Sequence, residues 1–427
     1  MMKILVIGSG GREHAVVKKI AESPLAEKVY ALPGNPGMKE AECIAGSVMD
    51  IPGVVKAARD YRIDFAVVTP DDPLAAGMVD ALEASGVRCF GPDKKAAEIE
   101  SSKVFSKNLM KKYHIPTAGY AVFTELEEAL SYVKNHPLPL VVKADGLAKG
   151  KGVVIAETLE QAEQALQDML VGRMFGQSGS RVIVEEYLTG PEVSVLTLVD
   201  GKRVVPLLSA MDHKRALAGD KGPNTGGMGA VAPNPFYTDE VARRAMNEIF
   251  LPTVRAMAKE GRPFKGCLFF GLMLTAEGPK VLEYNARLGD PETQAVLPLL
   301  KGDLLSAMLA VWEGNLTQGH LPFRPGHACC VVLASGGYPG QFETGFVIRM
   351  KGEPEAQVYY AGVAEKNGAL VTAGGRVMSL TACGNSLREA VDKAYAATEL
   401  VHFDGMMVRP DIGARALEAS DGLSYFC

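Results

Sequence analysis

The chain has 427 residues, 47% of them hydrophobic and 22% charged, with a net charge of −5, which points to about three soluble domains. Its basic residues do not cluster, and one Trp with 7% aromatics offers no stacking platform, which argues against a nucleic-acid partner. No apolar run approaches the roughly 18 residues of a membrane span; seven cysteines without a CxxC pair or zinc-like His spacing fit buried thiols in a cytoplasmic protein.

Residues 1–100 alternate apolar strands (Lys3–Ile7, Lys28–Leu32, Phe65–Val68, Val87–Phe90) with helical stretches (Arg12–Ser23, Val54–Tyr61, Leu74–Ser85). The pattern predicts a parallel α/β domain with ligands at the carboxyl ends of its strands. Those ends carry Gly8-Ser9-Gly10-Gly11-Arg12-Glu13, Pro33-Gly34-Asn35-Pro36-Gly37 and Thr69-Pro70-Asp71. Glu13 stands where a dinucleotide fingerprint needs its third glycine, and the second strand ends without an acid for a ribose hydroxyl, so a nicotinamide oxidoreductase is disfavoured. A glycine-opened helix either binds phosphate through its free N–H groups or is a tight turn that needs small residues.

From 101 to 190, Ser101-Ser102-Lys103 opens an amphipathic helix to Lys112. Strand Leu140–Asp145 runs through Gly146, Lys149, Gly150, Lys151 and Gly152 into strand Val153–Ala156, a helix spans Leu159–Leu170, and Arg181–Leu188 is a further strand. The glycine-lysine turn reads as a flap over phosphates or as a solvated turn; its spacing is not that of a Walker A loop. Lys143, inside an apolar strand, requires an anionic partner. From 191 to 325 come strands Glu192–Val199 and Val204–Leu208, then a long loop from Asp212-His213-Lys214-Arg215 to Asn224-Thr225-Gly226-Gly227-Met228-Gly229, and a helix Asp239–Glu260. A structureless loop of that length suggests substrate binding. A hairpin closes this part: Cys267–Leu274, a turn at Glu277-Gly278-Pro279, and a strand through Arg287. Strict alternation there places Val281, Glu283, Asn285 and Arg287 on one face and Leu282, Tyr284 and Ala286 on the other. A carboxylate and an amide two residues apart suit Mg²⁺ (or Mn²⁺), and the guanidinium beyond them suits a carboxylate or phosphate; the alternative is a solvated face. Residues 326–427 give short strands and one helix, Ser386–Leu400, with few catalytic candidates, so packing is the expected role.

Taken together, Gly10-Gly11-Arg12-Glu13-His14-Ala15, Gly34-Asn35-Pro36-Gly37, Lys143-Ala144-Asp145-Gly146-Leu147-Ala148, Asp212-His213-Lys214-Arg215, Asn224–Gly229, Arg287-Leu288-Gly289-Asp290-Pro291-Glu292 and Gly336-Gly337-Tyr338-Pro339 resemble the phosphoribosylamine–glycine ligase family of the ATP-grasp superfamily over the whole chain. The sequence departs from many members at Thr69-Pro70-Asp71, in place of Gly-Pro-Glu, and at Ala286, in place of a cysteine or similar residue.

The resemblance implies an α/β and α+β multidomain fold: an N-terminal pre-ATP-grasp domain (1–100), an ATP-grasp core of two subdomains (101–190 and 191–325) and a small β-rich C-terminal domain (326–427). It implies ATP-dependent ligation of glycine to 5-phosphoribosylamine through glycyl phosphate, on small-molecule substrates and with no obligatory protein partner. It assigns ATP to Lys103, Lys143, Gly146, Lys149, Gly150, Lys151, Gly152, Glu185, Glu186, Tyr187, Leu188 and Glu192, and Mg²⁺ or Mn²⁺ to Glu283 and Asn285. Arg287, Asp212 and Lys214 become catalytic. The substrates fall to Gly10, Gly11, Arg12, Glu13, Asn35, Pro36, Gly37, Asp71, Asn224, Thr225, Gly226 and Gly227. Another ATP-grasp carboxylate–amine ligase or a biotin carboxylase-like enzyme is the alternative.

Overall fold

Apolar side chains alternate along β1 (Met2–Gly8), so that Leu5 and Ile7 pack into one core layer and Ile4 and Val6 into the other. This strand is the centre of a five-stranded parallel sheet with β2 (Ala26–Pro33), β3 (Glu42–Cys43), β4 (Phe65–Val68) and β5 (Arg88–Phe90), ordered β3-β2-β1-β4-β5. The order reverses at β1, which opens a crevice at its carboxyl end, where α1 (Gly11–Ala21) begins. Helix α2 (Ile51–Asp60) follows as expected. The helix expected over Leu74–Ser85 is two helices, α3 (Asp71–Ala76) and α4 (Met78–Ala84), because Gly77 takes φ 95° between them and ends the first. This computed structural model describes residues 1–147, 152–172 and 180–423; the flap residues Lys149, Gly150 and Lys151 lie outside them.

Helices α5 (Lys94–Ser101) and α6 (Lys103–Lys112) lead into a second unit. Its sheet is antiparallel, ordered β6-β9-β7-β8, from β6 (Tyr120–Phe123), β7 (Leu140–Ala144), β8 (Val153–Ala156) and β9 (Val182–Glu186). Helices α7 (Leu126–Lys134) and α8 (Leu159–Leu166) bury Ala129, Val133, Ala162 and Leu166 against it. The end expected for α8 is a single π-helical turn, Gln167–Val171.

The third unit is built on β10 (Glu192–Asp200), β11 (Val204–Asp212), β14 (Gly229–Ala232), β15 (Lys265–Thr275) and β16 (Gly278–Asn285). Helices α9 (Asp239–Arg244) and α10 (Leu251–Lys259) are joined by a π turn into the one long helix expected. The segment read as a structureless loop instead pairs β12 (Arg215–Leu217) with β13 (Lys221–Asn224); its short, polar strands carry no apolar alternation to betray them. The main sheet runs β16-β15-β10-β11-β14 and continues through β17 (His327–Ser335) into strands Arg376–Gly384 and Gln357–Tyr360. Helices α11 (Glu292–Val296) and α12 (Leu304–Glu313) lie between β16 and β17 in the chain.

One face assignment is corrected. In the β15–β16 pairing Leu272 faces Val281 but Gly271 faces Glu283, so Leu282 is an extra residue, a β-bulge. Val281 therefore joins Tyr284 and Ala286 in the core, while Leu282 packs with Ala118, Leu188 and Met273. Among the described residues no helix is long and apolar enough to cross a membrane.

Candidate active site

Lys143 finds the anion its sequence position demanded. From β7 its Nζ reaches Glu185 Oε2 on β9 at 3.0 Å and donates to the Leu282 carbonyl at 3.2 Å. Lys107 of α6 meets the same carboxylate oxygen at 2.9 Å. Burial pushes Lys107 down to about 8 against the pull of Glu185, as expected for an ammonium taken out of water. Glu185 Oε1 is buried with no partner, which leaves one acceptor facing this pocket. Beyond it Glu186 donates its N–H to Gly119 O at 3.0 Å, Tyr187 is exposed, and Leu188 is buried against Ala118, Met273 and Leu282 in a small apolar slot. Lys103 is set at the start of α6 by two caps: Ser102 Oγ accepts from Phe105 N and Asp145 Oδ1 from Val104 N, each at 3.1 Å. Its Nζ donates to Gly146 O at 2.7 Å, and Gly152 O accepts from Ala144 N at 2.9 Å; both ends of the glycine-lysine turn are thus anchored.

Across the cleft, Lys214 stands between two carboxylates, 3.0 Å from Glu192 Oε2 and 3.5 Å from Glu283 Oε1. Lys214, with Lys143, Lys103 and Arg287, holds the Glu283 carboxyl below its ordinary range, so it is ionised. Asn285 Oδ1 accepts from Arg287 Nη2 at 3.0 Å. No group of three or more His, Cys, Asp or Glu suited to a metal occurs among the described residues. One ionised carboxylate, one amide oxygen and open space for phosphate oxygens is nonetheless the donor set Mg²⁺ accepts. The ammonium already seated between Glu192 and Glu283 shows that the position favours a cation. The residues fit.

The N-terminal loops meet this cleft at Arg287–Glu292. Arg12 Nε bonds Glu13 Oε1 at 2.6 Å and Nη1 donates to the Leu288 carbonyl at 3.2 Å. Glu13 Oε2 accepts from Gly10 N at 2.7 Å. The expectation of a helix start with free N–H groups therefore fails at Gly10, where the chain's own carboxylate stands; Gly11, Arg12 and Glu13 N–H still have no carbonyl within the helix. Gly8 makes room for this, since a Cβ there would lie 2.4 Å from Glu13 Cγ. The Asn35 side chain is likewise engaged within the protein: Nδ2 donates to Ser9 O and Tyr360 O, and Oδ1 accepts from Gly37 N. It ties the Gly34–Gly37 loop, including Pro36, to the glycine loop. Asp71 begins α3, and its charge acts on Arg12.

Asp212 ends β11 beside the hairpin. Its carboxyl is raised well above the ordinary range by burial and by the charge of Glu292, and its Oδ1 is buried without a partner. Thr225 Oγ1 donates to Lys214 O at 2.8 Å, and Thr225 N donates to the same carbonyl at 2.7 Å, so Asn224–Gly227 curls back over the catalytic candidates.

Besides Lys107, Glu100, Glu292, Arg376 and Tyr338 escaped the sequence reading. Glu100 accepts from Ala286 N at 2.8 Å and lies 3.3 Å from Arg287 Nε; burial pushes its carboxyl up to about 7. Glu292 accepts from Ser194 Oγ at 3.0 Å. Arg376 bonds Asp290 Oδ2 at 2.9 Å, and the Tyr338 hydroxyl accepts from Gly226 N at 3.0 Å. Glu292 and Tyr338 stand inside quoted motifs and were within reach. Glu100 and Arg376 carry no local signal, and residues 326–427, expected to pack, do so here against Gly226 and Asp290 through hydrogen bonds.

A four-stranded antiparallel sheet joined to a larger antiparallel one where Lys143 bonds the Leu282 carbonyl fits the ATP-grasp class of enzyme. Three family models match in order: the N domain of phosphoribosylglycinamide synthetase at residues 2–100, its ATP-grasp (A) domain at 101–293 and its C domain at 328–415. The chain belongs to the phosphoribosylglycinamide synthetase family. It is 47% identical over 423 residues to a phosphoribosylamine–glycine ligase of Vibrio cholerae, with 97% of this chain and 99% of that one covered. It is 48% identical over 415 residues to the ligase of that name from Caldanaerobacter subterraneus, covering 97% and 100%. The crystal structure of the phosphoribosylamine–glycine ligase of Thermotoga maritima is similar at 36% identity and a TM-score of 0.86, covering 96% of this chain and 100% of that one. The biotin carboxylase domain of Hydrogenobacter thermophilus 2-oxoglutarate carboxylase, at 18% identity and a TM-score of 0.74 with 96% and 92% covered, shares the fold alone.

Proposed function

We propose that this chain joins glycine to 5-phosphoribosylamine at the expense of ATP, giving glycinamide ribonucleotide, ADP and phosphate in purine biosynthesis. The observation that carries the reading is the ionised Glu283 carboxylate ringed by Lys214, Lys143, Lys103 and Arg287: phosphoryl transfer needs concentrated positive charge and alignment rather than a protein nucleophile. A glycine carboxylate oxygen attacks the γ-phosphorus and ADP leaves. The amine nitrogen of phosphoribosylamine then attacks the acyl carbon of glycyl phosphate, phosphate leaves, and the nitrogen loses a proton.

Lys103 and Lys143 hold the phosphates, the slot at Leu188 takes the adenine with Glu186, and Glu192 meets the ribose. Arg287 orients the glycine carboxylate, and Lys214 neutralises charge as it builds. Glu283 and Asn285 would hold Mg²⁺ or Mn²⁺, which would supply Lewis-acid charge to the phosphoryl transfer. Labour divides by region: 1–100 binds the acceptor, 101–190 and 191–325 clamp ATP, and 326–427 closes the acceptor end. The free, mostly buried thiols suit the cytoplasm.

Phosphate release with glycine and freshly made phosphoribosylamine, each omitted in turn, is the test. Release should require both. Turnover that instead required bicarbonate and biotin would move the chain to the carboxylases.

A further inference from the structure

The turn at Gly226–Gly227 presses on Asp212: a Cβ on Gly227 would lie 2.7 Å from Asp212 Oδ1. What holds this turn comes from 150 residues further along the chain. Arg376 Nη1 donates to Gly226 O at 2.6 Å and to Asp290 O at 2.9 Å, while Nη2 donates to Asp290 Oδ2 at 2.9 Å. The Tyr338 hydroxyl accepts from Gly226 N at 3.0 Å. Asp290 is itself the meeting point of three regions: its Oδ1 accepts from Gln294 Nε2 at 2.7 Å, and its Oδ2 stands 3.7 Å from where a Gly10 Cβ would be. One guanidinium thus spans the Gly226–Gly227 turn and the acid that faces the N-terminal glycine loop. Its planar fork reaches acceptors on both loops from two nitrogens at fixed spacing, where a lysine offers a single point of charge.

The other end of the same segment is held likewise. Arg409 donates to Arg215 O at 2.9 Å and reaches Asp220 at 3.1 Å, Gly219 N donates to Asp411 Oδ2 at 2.8 Å, and Gly413 N donates to His213 Nε2 at 3.1 Å. On the nucleotide side, Lys103, Lys143 and Glu185 are bonded instead to residues of the ATP-grasp core.

We propose that Arg376 is a positioning residue for the acceptor end of the site, fixing Asp290 and the Gly226–Gly227 turn, so that binding of phosphoribosylamine and glycine, but not of ATP, depends on the C-terminal domain. The proposal rests on the ligase reading above.

The test compares the full-length wild type with Arg376→Met, Arg376→Lys and Tyr338→Phe, reading KM for each substrate, thermal midpoint and rescue by added guanidinium. Arg376→Met should raise KM for phosphoribosylamine about 10-fold, the scale of one lost charge-assisted bond, with KM for ATP nearly unchanged. Lysine or free guanidinium should restore part of the loss, and Tyr338→Phe should shift the same KM less. Should the methionine variant fail to fold, the lysine and Tyr338 variants carry the comparison. Unshifted KM values beside a lowered midpoint, or a parallel rise for ATP, would overturn the proposal. A wild type that does not consume phosphoribosylamine would overturn the ligase reading and this proposal with it; an active wild type with unshifted variants overturns the proposal alone.

Discussion

Acid should loosen the segment after β11 through one buried ring. His213 Nδ1 faces Gly229 O at 3.2 Å and Nε2 faces Gly413 N–H at 3.1 Å. A carbonyl only accepts and an N–H only donates, so the neutral ring carries its proton on Nδ1 and both nitrogens are satisfied. A second proton would set Nε2–H against Gly413 N–H and place a charge near Arg409. Burial first, and Arg409 second, push the ring down to about 4. The unfolded chain takes up this proton near pH 6.5, the folded chain only near 4, so the stability is fully present above pH 6.5 and is lost as pH falls toward 4. At 1.36 kcal/mol per pH unit this is about 3 kcal/mol, of which about 2 is lost by pH 5. Urea unfolding of wild type and His213→Gln at pH 7.5 and pH 5 reads the difference, and NMR of labelled histidine reads the ring directly. Equal losses in the two proteins, or a His213 resonance titrating near 6.5 in the folded enzyme, would refute the reasoning.

Glu283→Gln should leave the thermal midpoint close to wild type and lower turnover at saturating ATP by several kcal/mol of transition-state stabilisation; unchanged turnover across a Mg²⁺ titration would remove Glu283 from the metal site. Gly227→Ala should slow turnover and lower the midpoint, because φ is 108° and the added Cβ would meet Pro291 Cδ at 2.4 Å, a strain of about 1–3 kcal/mol from the backbone alone; calorimetry with steady-state kinetics checks both. Arg12→Ala should raise KM for phosphoribosylamine about 10-fold and spare ATP. It should also destabilise the protein by about 3–5 kcal/mol, since buried Glu13 loses its partner; a normal KM in a folded variant would confine Arg12 to structure.

The sequence was most legible where a local pattern carries the information. The parallel sheet announced itself through apolar runs ending in glycine loops, and Lys143 through a charge with no place in an apolar strand; both behave as expected. It was least legible where a single residue alters geometry. Nothing in Val281-Leu282-Glu283 marks Leu282 as a bulge, since three side chains of that kind fit an unbroken strand equally well. The same holds for Asn35 and Gly10: their residue types suit a phosphate loop, and only the fold reveals that Tyr360, Ser9 and Glu13 occupy their hydrogen bonds. Arg376 lay beyond reach because its partners are set by tertiary contact across 150 and 86 residues.

The sheet that passes from β14 into β17 has a consequence for how the chain can be divided. Gly229–Ala232 pairs residue for residue with Ala328–Val331, so a chain cut before β17 would bare a row of N–H and C=O groups alongside the now wholly buried Ala230 and Val231. Such an unpaired, apolar edge recruits other strands. The last hundred residues are therefore less an appendage than a stopper on that edge: a shortened enzyme would precipitate before its kinetics could be asked about, and a grafted one would have to bring its own strand to take the place of β17.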